Sequence, residues 1–477
     1  MALISSGPKK HLLLIYPSQL FAPDWGNLTY TNPPLVNLFS YLSQYKNINI
    51  QILDLDIEIG KPRTMKEVLE FKEKATRIIG EYKFDIAGIS CSYSINYLSS
   101  IMVAEICRNI NGNCTIAVGG MHASAVPDDF TYEGSPFDFV VIGEGEEALL
   151  RICQNRIRKD AKARKIIGKI IDLNNLPAPR FKEYRYFHPT EYHTVLYALS
   201  RGCSFSCSFC IESAKSGTNY RCLPIKRTLS EIQKMIYSLG IKKIKFADPC
   251  FGLSKEWRRE FLKSLIKKKI KTILELEIRI DLLEKEDVDL FSKLNIGYLF
   301  LGLEHASPRM LFLMQKTNHP WIYLEKARKI IKYINEKDIP NKLLLVFNHP
   351  GETKDSVRET IQFLDSIFSK LKRISTILSP KNYFLTPGTK TYHSIKEYRE
   401  KYGTIIRHKM WWREPRFDHQ DLATDIFPSK DLNGECVREF WKKGIQDIQK
   451  ICISRRSRNY LAFDIASRVL LGDKDSI

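Results

Sequence analysis

Three cysteines crowd one short stretch in the middle of the chain: Cys203, Cys207 and Cys210, in the run RGCSFSCSFC. A cubane iron–sulfur cluster normally takes four protein thiolates. With three, one iron is left open for a small ligand, by the logic of the open position in catalytic zinc sites. A competing reading is structural zinc with Cys222 as fourth ligand. Structural zinc commonly pairs short loops from two places, whereas these donors share one segment. Chance clustering of buried cysteines is the remaining reading. The 11 cysteines in 477 residues do not make a disulfide scaffold. The early apolar run 12–16 is too short for a secretory signal, so a reducing, cytoplasmic compartment is expected. No stretch approaches the length of a membrane span.

The cysteine loop stands inside the second of two strand–helix series. In the first, HLLLIYP (11–17), INIQILDLD (48–56), DIAGISCS (85–92), TIAVGG (115–120) and FDFVVIGEGE (137–146) read as strands. NLFSYLSQY (37–45) and LSSIMVAEICRNI (98–110) read as helices between them. This is the pattern of an α/β domain with a parallel sheet. Ligands on such sheets bind outside the carboxyl ends of the strands. Those ends carry Ser90, Ser92, Gly119, Gly120, Gly143, Glu144 and Gly145. A basic, proline-punctuated connector spans 151–192. A second series then follows, with strands predicted over 194–203, 241–249, 272–280, 298–304 and 342–350. Repeated units with right-handed crossovers predict a complete or partial (β/α) barrel. The cysteine loop, Asp248, Arg279, Glu304 and the NHPGET loop all fall at the carboxyl ends of its strands. Beyond about 390 the chain turns polar, aromatic and irregular before a helical C-terminus.

Lys and Arg number 74 against 54 Asp and Glu, a net charge of +20. Such a balance favours acidic partners. The plainer reading is a lysine-rich solvated surface: in 255–271 Trp257, Phe261, Leu262, Leu265 and Ile266 recur at helical spacing and leave a basic outer face. No aromatic-basic interleaving of the kind single-strand binders use is present.

Residues 194–390 resemble a radical S-adenosylmethionine (SAM) enzyme. The resemblance rests on RGCSFSCSFC with Phe209 before its last cysteine, KFADPCF, IRIDLL, FLGLEHASPRML, NHPGET and YFLTPGTK, in that order. Residues of about 10–150 resemble the cobalamin-binding domain often fused to such enzymes, through NPPLVNLFSYL, DIAGISCSYS, VGGMHAS and VIGEGEEALL. The fold implied is a Rossmann- or flavodoxin-like cobalamin-binding domain (1–150), a linker (151–192), a partial (β/α)6-type radical SAM barrel (193–390) and a small, mostly helical C-terminal region (391–477). Two departures stand out: Cys250, where relatives often carry a small or hydroxyl residue, and His349 before PGET. Cys250 reads more readily as a packing thiol than as a redox participant, while His349 reads equally as a proton carrier or as a hydrogen-bonded structural residue.

The resemblance implies a 4Fe-4S cluster held by Cys203, Cys207 and Cys210, with SAM on its open iron, and cobalamin over the glycine-edged strands. Phe209 is expected near adenine, and Asp248, Arg279 and Glu304 near SAM or substrate. Tyr383 and the segment 411–419 are expected to close over the substrate, with Trp411 itself more core than lid. Ser90 and Ser92 are expected to hydrogen-bond the ring periphery, and His122 to position its edge. None of the ten histidines follows an Asp by two residues, so D-x-H-x-x-G is absent and no protein imidazole is expected on cobalt. The implied activity is transfer of a methyl group to an unactivated carbon of a small molecule or peptide. An external flavodoxin- or ferredoxin-like electron donor is implied too. The rival readings are a cyclase or rearrangement enzyme on the same cofactors, and a basic RNA-binding protein with a structural cluster. A methylthiotransferase would need a second cluster; Cys91, Cys107, Cys114 and Cys153 lie in separate predicted elements, not in one loop.

Overall fold

The computed structural model describes residues 9–21, 32–157, 164–184, 186, 194–212, 219–415, 426–432 and 436–456. Six strands form the first sheet: β1 (Lys10–Tyr16), β2 (Ile48–Asp54), β3 (Ile86–Ser90), β4 (Thr115–Gly119), β5 (Phe139–Ile142) and β6 (Arg164–Ile167). Their order is β2-β1-β3-β4-β5-β6, and every pairing is parallel. Parallel strands covered on both faces read as continuous apolar runs. Leu12 to Ile15 of β1 accordingly show at most 1% exposure. The helix Met65–Gly80 is capped by the Thr64 side chain and turns Val68, Phe71, Ala75 and Ile79 inward, one face of a 3.6-residue period. The sheet order reverses at β1, so a crevice opens above the carboxyl ends of β1 and β3.

The second sheet begins with β7 (Thr194–Tyr197). A short antiparallel pair follows, β8 (Ser200–Arg201) and β9 (Arg221–Cys222), with the cysteine loop between its arms. Then come β10 (Lys243–Phe246), β11 (Ile273–Arg279), β12 (Ile296–Glu304), β13 (Asn341–Phe347) and β14 (Thr376–Asn382). The order β14-β13-β12-β11-β10-β7 is sequential and wholly parallel. Among the described residues β7 and β14 do not pair, so the sheet is a six-stranded partial barrel. Helices Ile225–Leu239, Lys255–Lys267, Pro320–Glu336 and Lys354–Phe368 connect its strands. One contiguous apolar core draws on both sheets, from Leu12, Leu35 and Leu149 to Ile244, Leu276 and Leu301.

Within the two six-stranded sheets, two strands escape the sequence reading. β6 lies in the stretch read as connector, and three of its four residues are exposed. β14 contains Ser379, Pro380 and Lys381, which interrupt its apolar run; as an edge strand it tolerates the proline. The expected helix in 255–271 stops at Lys267, with Phe261, Leu262 and Leu265 buried. The C-terminal region contains helices Ile395–Tyr402 and Cys436–Ser454. Among the described residues no helix is long and apolar enough to cross a membrane.

Candidate active site

The cysteine loop is set by its entry glycine. Gly202 has φ +80°, and a Cβ there would meet the Asn219 carbonyl oxygen at 2.1 Å. Only glycine lets the two arms approach so closely. The loop then docks on the barrel, where the Ser208 N–H donates to the Met314 carbonyl at 2.9 Å. Cys207 is buried, and Cys203 and Cys210 are half-buried. Arg279, at the end of β11, donates from Nη1 to the Cys207 sulfur at 3.3 Å. Its Nη2 donates to the Lys316 carbonyl at 2.7 Å. A fork on Asp281 at 3.0 and 2.9 Å and a Phe205 ring 3.7 Å from the guanidinium carbon fix it further.

Burial pushes the Cys210 thiol up to about 12, and the charges of Cys207, Glu212 and Cys203 push the same way, against the Glu212 backbone N–H. Cys203 is raised as well, by burial first. Cys203 and Cys210, held back from ionisation beside the buried Cys207, suit a polycationic partner that takes the sulfurs as thiolates. The residues therefore fit an iron–sulfur cluster held by Cys203, Cys207 and Cys210. Cys222 sits on β9 next to Tyr220 and Asp248. Cys250 is buried, with its thiol pushed up to about 12 by burial, which suits a packing role.

Above this loop a cavity of about 600 Å³ separates the two sheets. One wall is the carboxyl edge of the first sheet, with Ser90, Ser92, Gly119, Gly120, Gly143, Glu144 and Gly145. The opposite wall is barrel: Leu196, Ala198, Ser200, Ala247, Asp248 and Pro249. Ser90 and Ser92 hydroxyls hydrogen-bond each other at 2.9 Å. Gly120 has φ +108°, and a Cβ there would strike the Cys91 carbonyl oxygen at 2.6 Å. These side-chain-free stretches leave room for a broad flat group, so the cradle fits cobalamin. Asp248 accepts a hydrogen bond from Ser200 at Oδ1. Its Oδ2 has no partner among the described residues. Burial raises this carboxyl to about 7.

An ion-pair cluster ties the walls together. Arg201 pairs with Glu146 and, at 3.3 Å, with Glu144; Arg221 also pairs with Glu144. Glu144 additionally accepts from the Ile171 N–H at 2.9 Å. Sequence reading picked out Glu144 as a cofactor contact; here its oxygens face arginines of the barrel domain. Arg201 and Arg221 were not picked out: they lie 57 and 77 residues from Glu144, and only their place beside the cysteine loop hints at them.

Other expected residues stand elsewhere. His122 does not face the cavity. It begins a short helix, Met121–Ala125, that turns the ring inward, 2% exposed, between Ser94 at 3.0 Å and Asp129 at 3.2 Å. Asp129 also accepts from Trp412 Nε1 at 2.5 Å and from Arg413, anchoring the C-terminal segment to the first domain. Of the expected lid 411–419, positions 416–419 lie outside the described residues. Trp411 is half-buried and donates to the Leu385 carbonyl at 3.0 Å. Tyr383 does not overhang the cavity; it is buried against His349, ring centres 4.9 Å apart. Phe209 packs on the same small core. His349 bonds the Pro350 carbonyl at 2.9 Å and Thr391 at 3.2 Å, and burial lowers it to about 3, so it is neutral and structural. Glu304 ends β12 at φ +65° beside a break in register, and its Oε1 accepts from Lys316 at 2.9 Å.

Two family models match this arrangement: the B12 binding domain over residues 29–152 and the radical SAM superfamily over 197–364. The fold and site define a radical SAM enzyme. More particularly, the chain belongs to the radical SAM proteins that carry a B12-binding domain ahead of the barrel. An uncharacterized methyltransferase from Pyrococcus horikoshii is 24% identical over 354 residues, 70% of this chain and 73% of that one. The anaerobic magnesium-protoporphyrin IX monomethyl ester cyclase of Rubrivivax gelatinosus is 23% identical over 316 residues, 61% of this chain and 55% of the cyclase. Among solved structures, the radical SAM methyltransferase TsrM from Kitasatospora setae, with cobalamin and a 4Fe-4S cluster bound, superposes with TM-score 0.62 at 16% identity. That match covers 80% of this chain and 77% of TsrM, and it shows a shared fold.

Proposed function

We propose that this chain transfers a methyl group to an unactivated carbon of its substrate. The observation that carries the reading is the single cavity with one wall from each domain: a glycine-lined sheet edge faces the barrel mouth beside the cysteine loop. Holding two reacting centres at that spacing can lower a barrier by about 7–11 kcal/mol. When bound, the cluster with SAM supplies a hydrogen-abstracting radical and cobalamin supplies the methyl donor.

The chain's own residues do the rest. Cys203, Cys207 and Cys210 would hold the cluster, while Arg279 sets a fixed positive charge on Cys207. Gly119 and Gly120 would let the cobalamin ring lie against backbone, with Ser90 and Ser92 offering hydroxyls at its edge. Asp248, with a free Oδ2 in the cavity, would accept a hydrogen bond from SAM or substrate. The Arg201–Arg221–Glu144–Glu146 cluster ties the two walls together. A flavodoxin- or ferredoxin-like donor would supply the electron, in a cytoplasmic setting.

Anaerobic reconstitution with iron, sulfide and hydroxocobalamin, followed by mass spectrometry, tests the reading. Formation of both 5′-deoxyadenosine and S-adenosylhomocysteine is the expected result. Deoxyadenosine without S-adenosylhomocysteine would replace methyl transfer by a rearrangement or cyclisation, the alternative that the cyclase relative favours.

A further inference from the structure

Glu277 stands near the carboxyl end of β11. It shares a strand face with Arg279, two residues on, and that arginine touches Cys207. The face therefore looks into the barrel. Lys245 pairs in register with Glu275, so two residues further Ala247 stands level with Glu277. Ala247 lines the large cavity. Glu277 thus lies one strand over from the cavity wall.

The neighbouring carboxylates are neutralised. Glu275 is paired with Lys243 at 3.1 Å, and Glu304 with Lys316 at 2.9 Å. Among the described residues the Glu277 carboxylate has no such partner. It is exposed, yet burial among protein atoms is the first cause raising it to about 7; Glu304 adds to that, and Lys316 and Lys245 oppose it. A side chain both reachable and surrounded by protein atoms fits that inward face of β11, one strand from the cavity wall. Lys316 and Lys245 act on this carboxylate only from beyond bonding distance; without a bonded cation it is costly there, and an entering cation relieves the cost. The same inward face carries Tyr298 and, over its ring at 4.6 Å, Lys342. A neutral hydrocarbon-like guest would have to strip water from these groups without return.

We propose that Glu277 anchors the substrate and that the substrate is an organic cation, carrying an amine or guanidine protonated at neutral pH. The inference rests on the methyl-transfer reading only for the place where substrate sits. The Glu277 carboxylate accepts hydrogen bonds from the charged nitrogen; no proton or electron moves.

Thermal unfolding of the full chain with butylammonium, and with butanol and butyrate as neutral and anionic probes of equal length, tests it. Ligand that binds the folded state raises the midpoint. The expected result is a saturable rise with butylammonium alone. In Glu277→Gln that rise should shrink by about fivefold or more, as linkage to a lost site requires. Glu277→Asp should keep part of it. Ala247→Lys, which tethers an ammonium one strand away, should abolish the response and raise the basal midpoint. An equal butylammonium response in wild type and Glu277→Gln would overturn the assignment, as would a larger response to butanol or butyrate. No response to butylammonium in the wild type would overturn it as well. The assay reads no turnover, so failure of methyl transfer and failure of this anchor are seen separately.

Discussion

At the scale of single residues, Asp248 makes a signed prediction. Its carboxyl titrates near 3.8 when unfolded and at about 7 when folded. Between those values the folded state keeps a proton that the unfolded state has released, so stability falls as pH rises through that window. Asp248→Asn keeps the oxygen that accepts from Ser200 and removes the titration. The unfolding midpoint of the apo variant, relative to wild type, should be more favourable at pH 8 than at pH 5; the reverse order would remove burial as the cause. Cys207 gives a second prediction. Cys207→Ala deletes the buried donor beside Arg279, and anaerobically reconstituted variant should lose most of its iron. Iron content equal to wild type would reassign the cluster. The three cysteines were legible because chemistry demands their spacing within one short segment. His122 was misread because adjacency to a glycine pair says nothing about which way a following helix turns its side chains.

At the scale of elements, legibility followed burial. β1, β3 and β4 carry continuous buried runs and stand out from sequence; β6 and β14 sit at sheet edges, where exposure permits lysine, serine and proline. The helix Lys255–Lys267 was legible as a basic amphipathic helix, but its deepest contact was not. Arg258 is 1% exposed and donates from Nε and Nη2 to Asp287 at 3.0 and 3.2 Å, and from Nη1 to the Gly252 carbonyl at 2.6 Å. It joins this helix to Lys285–Phe291 and to the turn after β10. Asp287 would keep Arg259, whose Nε lies at 3.3 Å, so it is not stranded when Arg258 is deleted. Arg258→Ala should therefore lose about 1.5–3 kcal/mol in denaturant unfolding, the scale of hydrogen bonds to charged groups; a change under about 1 kcal/mol, the scale of exposed pairs, would mean the pair is wet.

At the scale of the whole molecule, the two sheets share one apolar core and an ion-pair cluster across the cavity rim. Neither was legible, because both join residues far apart in the chain through folding alone. A common core predicts that the described body unfolds as one unit, so calorimetry should record a single main transition for the wild type. Two well-separated transitions would show that the halves fold independently. Glu144→Ala leaves Arg201 without one partner and Arg221 without its paired carboxylate. Arg201 keeps Glu146 and Arg221 keeps the Ile171 carbonyl, so the loss of stability should be about 1.5–3 kcal/mol, the scale of hydrogen bonds to charged groups.

Among the described residues β7 and β14 leave their outer edges unpaired, and this carries a last consequence. A ring of eight strands is a finished vessel; six leave a trough with one flank missing. The chamber runs along that flank past Leu196 of β7 and Ala198 just beyond it, and the glycine-bordered sheet supplies the staves that the trough lacks. The catalytic container is therefore assembled rather than inherited from either half, and a fragment holding the barrel alone would stand open to solvent at the point where a reactive carbon most needs shelter.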